Sequence, residues 1–196
     1  VAAAGLTAGA VQVLDAASGK SLGLHHGFTT PTDALPLEDG DILVTEYAKG
    51  AIVRVNPNNW DDRVSIFEGL EGPAMLVQGP DNAIYVSETS GGRISRLTDS
   101  GGVETVVDDL ANPEGFTFLA SGAIAVAEAA KAQITVIDPV SGSQSVVASG
   151  LPFGAIPAEG PEVFMPTGLA TDASGTLYFS SEYLAQVFRL QGPAEE

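Results

Sequence analysis

The chain has 196 residues, enough for one domain with a sizeable core, and carries eight basic against 25 acidic residues for a net charge of −17. A surface so acidic repels phosphate backbones, which argues against nucleic-acid binding; it also disfavours anionic membranes and suits cations or cationic partners. There is no cysteine and no apolar run of membrane-spanning length, so disulfide, zinc-thiolate and thiol-nucleophile chemistry and a membrane span are all excluded.

In chain order, residues 10–14 predict a strand, Asp15-Ala16-Ala17-Ser18-Gly19 a turn, and Ser21–His26 a second strand, together a partial unit over 1–27. A repeat then begins. Pro31, Pro73, Pro113 and Pro166 each open a unit, and nine residues later stands a turn residue, Gly40, Asn82, Gly122 or Gly175. Apolar runs follow at Ile42-Leu43-Val44, Ile84-Tyr85-Val86, Ile124-Ala125-Val126 and Leu177-Tyr178-Phe179. Fifteen residues after each proline come Glu46, Glu88, Glu128 and, breaking the set, Ser181; six further on come Ile52, Ile94, Ile134 and Val187. A period of about 40–50 residues with short strands and glycine-rich turns is the signature of an all-β propeller with one four-stranded antiparallel blade per repeat. The strands of a blade are here lettered A to D from the proline onward. Whole blades are expected over 31–70, 73–109 and 113–150, with a partial one over 166–190. Proline spacings of 42, 40 and 53 put an insertion at 151–165, in a D–A connection.

The partial unit at the N-terminus aligns with strands C and D, and the last unit supplies A, B and C. The reading is therefore 2 + 12 + 3 = 17 strands, against 24 in a six-bladed ring and 20 in a five-bladed one. Three whole blades and two partial ones fit best as about two-thirds of a six-bladed ring. An open arc leaves unpaired strand edges, which favour association; a homo-oligomer, a second chain or sequence not included in this chain are the options for completing it.

The start of strand A and the end of strand B gather beside the central channel, where propeller ligands bind. Three groups stand there. Glu46, Glu88 and Glu128 form either an acidic collar for calcium or magnesium, which want oxygen ligands, or a repeated staple onto backbone amides. One residue after each proline come Thr32, Ala74, Glu114 and Thr167, with Glu71 just before Pro73 and Asp33 nearby. Glu71 and Glu114 are metal-ligand candidates, because carboxylates gathered there repel unless protonated or bridged by a cation. The insertion, with Phe153, Phe164 and Met165 on its apolar side, reads either as a ligand-face loop or as packing over a blade seam. His25 and His26 end an outer strand and point opposite ways, and no other histidine exists. Trp60 reads as a blade-edge packing residue.

Pro113-Glu114-Gly115-Phe116, the run Gly122–Glu128 and Gly175-Thr176-Leu177-Tyr178-Phe179 resemble the repeat of NHL-like propellers. That set includes the regucalcin/gluconolactonase and strictosidine-synthase-like families and secreted bacterial propellers of the scytonemin-cluster type. Leu43–Tyr47 followed by Gly50–Val55 is most similar to the last group. The resemblance implies a six-bladed ring and an extracellular or periplasmic location. In gluconolactonase-like members a glutamate before one strand A helps hold a central divalent metal, and Glu71 matches it. Glu114 stands where asparagine or aspartate is the pattern, and Thr32, Ala74 and Thr167 depart from it. The expected function is a ligand- or protein-binding scaffold, with a calcium or magnesium ion at the axis as one option; the alternative is a metal-dependent hydrolase of the lactonase type.

Overall fold

The computed structural model describes residues 1–5, 8–98, 101–153, 167–181 and 184–190. They form five antiparallel sheets fanned about one axis, each a meander of sequential strands. The first blade holds β1 (Ala2–Gly5), β2 (Ala10–Leu14) and β3 (Ser21–His26). The second holds β4 (Pro31–Pro36), β5 (Ile42–Glu46), β6 (Ala51–Asn56) and β7 (Asn59–Glu68). The third holds β8 (Pro73–Gln78), β9 (Ile84–Glu88), β10 (Arg93–Leu97) and β11 (Val103–Val107). The fourth holds β12 (Pro113–Phe118), β13 (Ile124–Glu128), β14 (Gln133–Ile137) and β15 (Gln144–Ser149). The fifth holds β16 (Leu169–Thr171), β17 (Leu177–Ser181) and β18 (Gln186–Arg189).

One strand departs from the sequence reading. Ala2–Gly5 pairs antiparallel with β2, Ala4 opposite Val11, and supplies strand B of the first blade. Its Ala-Ala-Ala-Gly run has no β-branched or aromatic residue, so nothing local marks it as a strand; pairing with β2 makes it one. The described residues thus contain 18 strands, not 17, in five blades, and a sixth blade is not among them.

The blades stack through their faces. Strands B and C are rich in valine and isoleucine, and Val44, Ile52, Val86, Ile94, Ile124, Val126 and Ile134 are wholly buried at the seams. Each seam has its own cluster, such as Tyr85, Ile94, Phe116 and Ile124 between the third and fourth blades. Burying an isoleucine of this kind contributes about 2 kcal/mol, so the seams, more than any single sheet, hold the arc together.

The B–C connections differ from their propensity. Ala129–Lys131, alanine-rich and helix-favouring, makes only a single 3-10 turn before Ala132 enters a left-handed conformation at φ 50°. Gly50 takes the same place after Tyr47–Lys49, with φ 63°.

Candidate axial binding site

Register slips open three of the inner strands, between Pro31 and Ala34, Pro73 and Leu76, and Pro113 and Phe116. A bulge bends its strand and re-aims side chains. Here it takes Thr32-Asp33, Ala74-Met75 and Glu114-Gly115 out of the regular ladder at the inner end of each sheet. Thr32, Asp33, Ala74, Met75 and Glu114 then line one cavity of about 270 Å³, together with Ala4 of the first blade and Thr167, Gly168 and Ser180 of the fifth. The four positions after the prolines do converge. No lysine, arginine or histidine is among the lining residues.

A row of hydroxyls, in the position just before Glu46, Glu88 and Ser181, stands around this cavity. Thr45 accepts from the Asp33 N–H at 2.8 Å and lies 3.3 Å from the Ala74 carbonyl of the next blade. Ser87 accepts from the Met75 N–H at 3.0 Å and donates to the Glu114 carbonyl at 2.6 Å. Ser180 accepts from the Gly168 N–H at 2.8 Å. The fourth blade breaks the row with Ala127. There the Glu114 carboxylate takes over, accepting the Thr167 N–H at 2.7 Å. Gly115 lets the fifth blade come close: a Cβ on it would strike the Thr167 carbonyl and lie 2.6 Å from the Leu169 nitrogen. This hydroxyl row went unread in the sequence, although aligning the repeats shows Thr45, Ser87 and Ser180 in register.

Two polar groups at the cavity are unusual. Asp33 accepts N–H bonds from Ala34 and from Leu76 of the next blade, both at 2.8 Å. Burial nevertheless raises its carboxyl above the ordinary aspartate range, outweighing those two bonds. Thr167 is 2% exposed, and its hydroxyl has no hydrogen-bond partner among the described residues. A buried hydroxyl without a partner costs about 1–3 kcal/mol, which a ligand atom bonding to it would recover.

The other expected site residues lie elsewhere. Glu46, Glu88 and Glu128 accept the N–H groups of Thr29, Glu71 and Ala111 at 2.7, 2.8 and 2.9 Å, each two residues before a strand A. Each also pairs with a cation of its own blade: Lys49, Arg93 or Lys131. This is the staple geometry, closing the chain as it crosses from blade to blade. Burial disfavours the charged Glu88, but bonds from Arg93, the Glu71 N–H and Ser95 hold its carboxyl below the usual range. Glu71 is largely exposed and reaches Arg93 at 3.2 Å, away from the cavity lining. Phe153 is 4% exposed and packs edge-on to Phe179 at 5.4 Å, in the seam between the last two blades. Phe164 and Met165 lie outside the described residues. His25 stacks flat on Trp60, ring centroids 3.5 Å apart, at the first seam.

The donor set does not suit a dedicated calcium or magnesium cage. Such ions want six or more oxygens, several of them free carboxylates. Asp33 and Glu114 already hold backbone amides, and among the described residues no three acidic or histidine side chains cluster as a cation site.

No protein-family profile matches the chain, and no curated protein matches it. Solved structures do. The virginiamycin B lyase of Staphylococcus aureus superposes with a TM-score of 0.63 at 19% identity, covering 96% of this chain and 65% of the lyase. A gluconolactonase of Xanthomonas campestris gives 0.70 at 18% identity, over 90% of this chain and 64% of that one. Regucalcin of Agrobacterium tumefaciens, described as a calcium-binding protein, gives 0.65 at 15% identity, over 89% and 60%. The architecture is thus that of the gluconolactonase, regucalcin and lyase propellers, and the chain spans somewhat under two-thirds of those proteins' length.

Proposed function

We propose that this chain is a binding propeller that takes a small ligand at its axial cavity. The observation that carries the reading is the convergence of Thr32, Asp33, Glu114 and Thr167 on one cavity, with the Thr167 hydroxyl buried and without a partner among the described residues. The lining offers hydroxyl and carboxyl groups but no basic side chain, which suits hydrogen-bond donors and disfavours anions. A histidine or lysine base, the usual engine of proton transfer, is missing from it. A binding role also accommodates a partner chain at the bare outer blades.

A second reading follows from Asp33 and Glu114 sharing the cavity in an architecture that a gluconolactonase and a calcium-binding protein also use. It is hydrolysis of a lactone. One experiment separates the two: elemental analysis of the purified protein, thermal shift with calcium and a chelator, and turnover of glucono-δ-lactone. We expect no stoichiometric metal and no turnover. Turnover that disappears in Glu114→Gln while the fold is kept would overturn the binding reading.

A further inference from the structure

The four seams between blades are not closed alike. At the first, His25 stacks on Trp60 and Phe28 meets Trp60 edge-on at 6.3 Å. At the third, Tyr85 and Phe118 meet edge-on at 4.8 Å, with Phe116 behind. At the fourth, Phe179 meets Phe153 edge-on and stacks on Phe188. Between the second and third blades no aromatic pair stands among the described residues. The repeat explains why: Leu43 holds the place of Tyr85, and Gln78 that of Phe118.

A groove of about 350 Å³ remains there, away from the axial cavity, within the usual range for small-ligand sites. Leu37, Leu43, Ile66, Phe67, Ile84 and Leu97 make its apolar walls, and Arg54, Asn82 and Thr98 its polar rim. Leu37 fills part of the space that the Tyr85 ring takes in the next blade, where Gly79 makes room for that ring. The remainder stays open. Ile84 and Phe67 are half-buried on its wall, whereas their counterparts one seam on, Ile124 and Val107, are 0% and 7% exposed. The polar chemistry of the third blade is also repeated without its aromatic member. There the Tyr85 hydroxyl donates to Asp81 at 3.2 Å while Arg96 pairs with the same carboxylate. In the second blade Arg54 pairs with Asp39 and Asp41, and among the described residues no phenol reaches them.

We infer that the groove between the second and third blades is a second binding site, for a small phenol-like aromatic whose ring replaces the absent aromatic pair and whose hydroxyl donates to Asp39. The neighbouring seam supplies the template: the ligand does for the second blade what the Tyr85 side chain does for the third. Ring burial against Phe67 and the leucines drives entry, and the hydroxyl orients the ring, as amphipathic aromatics commonly bind.

The probe is p-cresol, the tyrosine side chain as a free molecule, followed by methyl NMR of the intact protein. Saturable binding in the millimolar range is expected for a ligand this small. The shifts should concentrate at Leu37, Leu43, Ile66, Ile84 and Leu97. Toluene, lacking the donor, should bind about fivefold more weakly, and Asp39→Ala, which removes the acceptor, should erase that difference. Leu37→Gly with Leu43→Tyr copies the third blade, fills the groove from within and should weaken p-cresol binding at least about tenfold. Gln78→Phe, a milder change at an exposed position, should also cut binding by covering the groove. The proposal is overturned by shifts that do not saturate, by shifts centred on Ala74, Met75 and Thr167, or by affinity unchanged in both filling variants.

Discussion

Glu128 holds one of the links between blades and carries a measurable pH signature. Burial disfavours its charge, but bonds from Thr135, the Ala111 N–H, Lys131 and Gln133 together hold its carboxyl down at about 2, from an ordinary value of 4.5. The folded state therefore binds this proton less tightly than the unfolded chain. Its contribution is full above pH 4.5 and is lost as the pH falls toward 2. Urea unfolding of Glu128→Gln across that window should show a shallower acid limb than the wild type; identical slopes would refute the assignment. Ala132 offers a change in the other direction. It is held at φ 50°, where Gly50 and Gly92 serve in two other blades. Left-handed backbone costs an alanine about 1 kcal/mol, so Ala132→Gly should raise stability by about 0.5–1 kcal/mol in chemical denaturation. The repeated glutamates themselves were legible in the sequence, but their role was open there. A collar and a staple need the same residue at the same spacing, and only the positions of the Thr29, Glu71 and Ala111 amides separate them.

At the scale of the blade, two junctions depart from the repeat and can be tested separately. The fourth blade meets the fifth through Gly115, where any side chain must push Thr167 and Leu169 away. Gly115→Ala should cost about 2–3 kcal/mol, and hydrogen exchange should quicken in β16 and β17 before the other blades. Uniform exchange would mean that the fifth blade is held by something else. The first seam rests on the His25–Trp60 stack, with Arg63 lying 4.2 Å over Phe28 and donating to the His26 carbonyl. Burial, then the charges of Arg63 and His26, lowers the His25 pKa below 6.5. The neutral ring is thus favoured in the fold. Its contribution is complete above pH 6.5 and declines as the pH drops below that value. Trp60 fluorescence should change as the pH falls below 6.5 in the wild type and stay flat in His25→Phe.

For the whole molecule, the informative surfaces are the two end faces of the arc. Val187 stands where Ile52, Ile94 and Ile134 stand in the second, third and fourth blades, yet it is 73% exposed while they are at 0%. Leu22 and Leu24 of the first blade are also bare, at 66% and 55%. Faces built to be covered by a neighbouring blade favour association, against the repulsion of a net charge of −17. Sedimentation in high salt, which screens that repulsion, should show mass rising with concentration, and Val187→Lys with Leu24→Lys should abolish the rise. A wild type whose mass is independent of concentration would count against exposed seams as docking faces.

The repeat by itself determined the blades. Proline entry, a turn at the ninth residue and alternating apolar runs are local signals, and every strand from β2 onward follows from them. Only the tertiary structure decided what the axis holds, because residues more than 40 positions apart, such as Asp33 and Leu76 or Glu114 and Thr167, meet through bulges that no spacing announces. It also decided which seam stays open, since that depends on the summed volume of side chains from two blades and not on either one read alone.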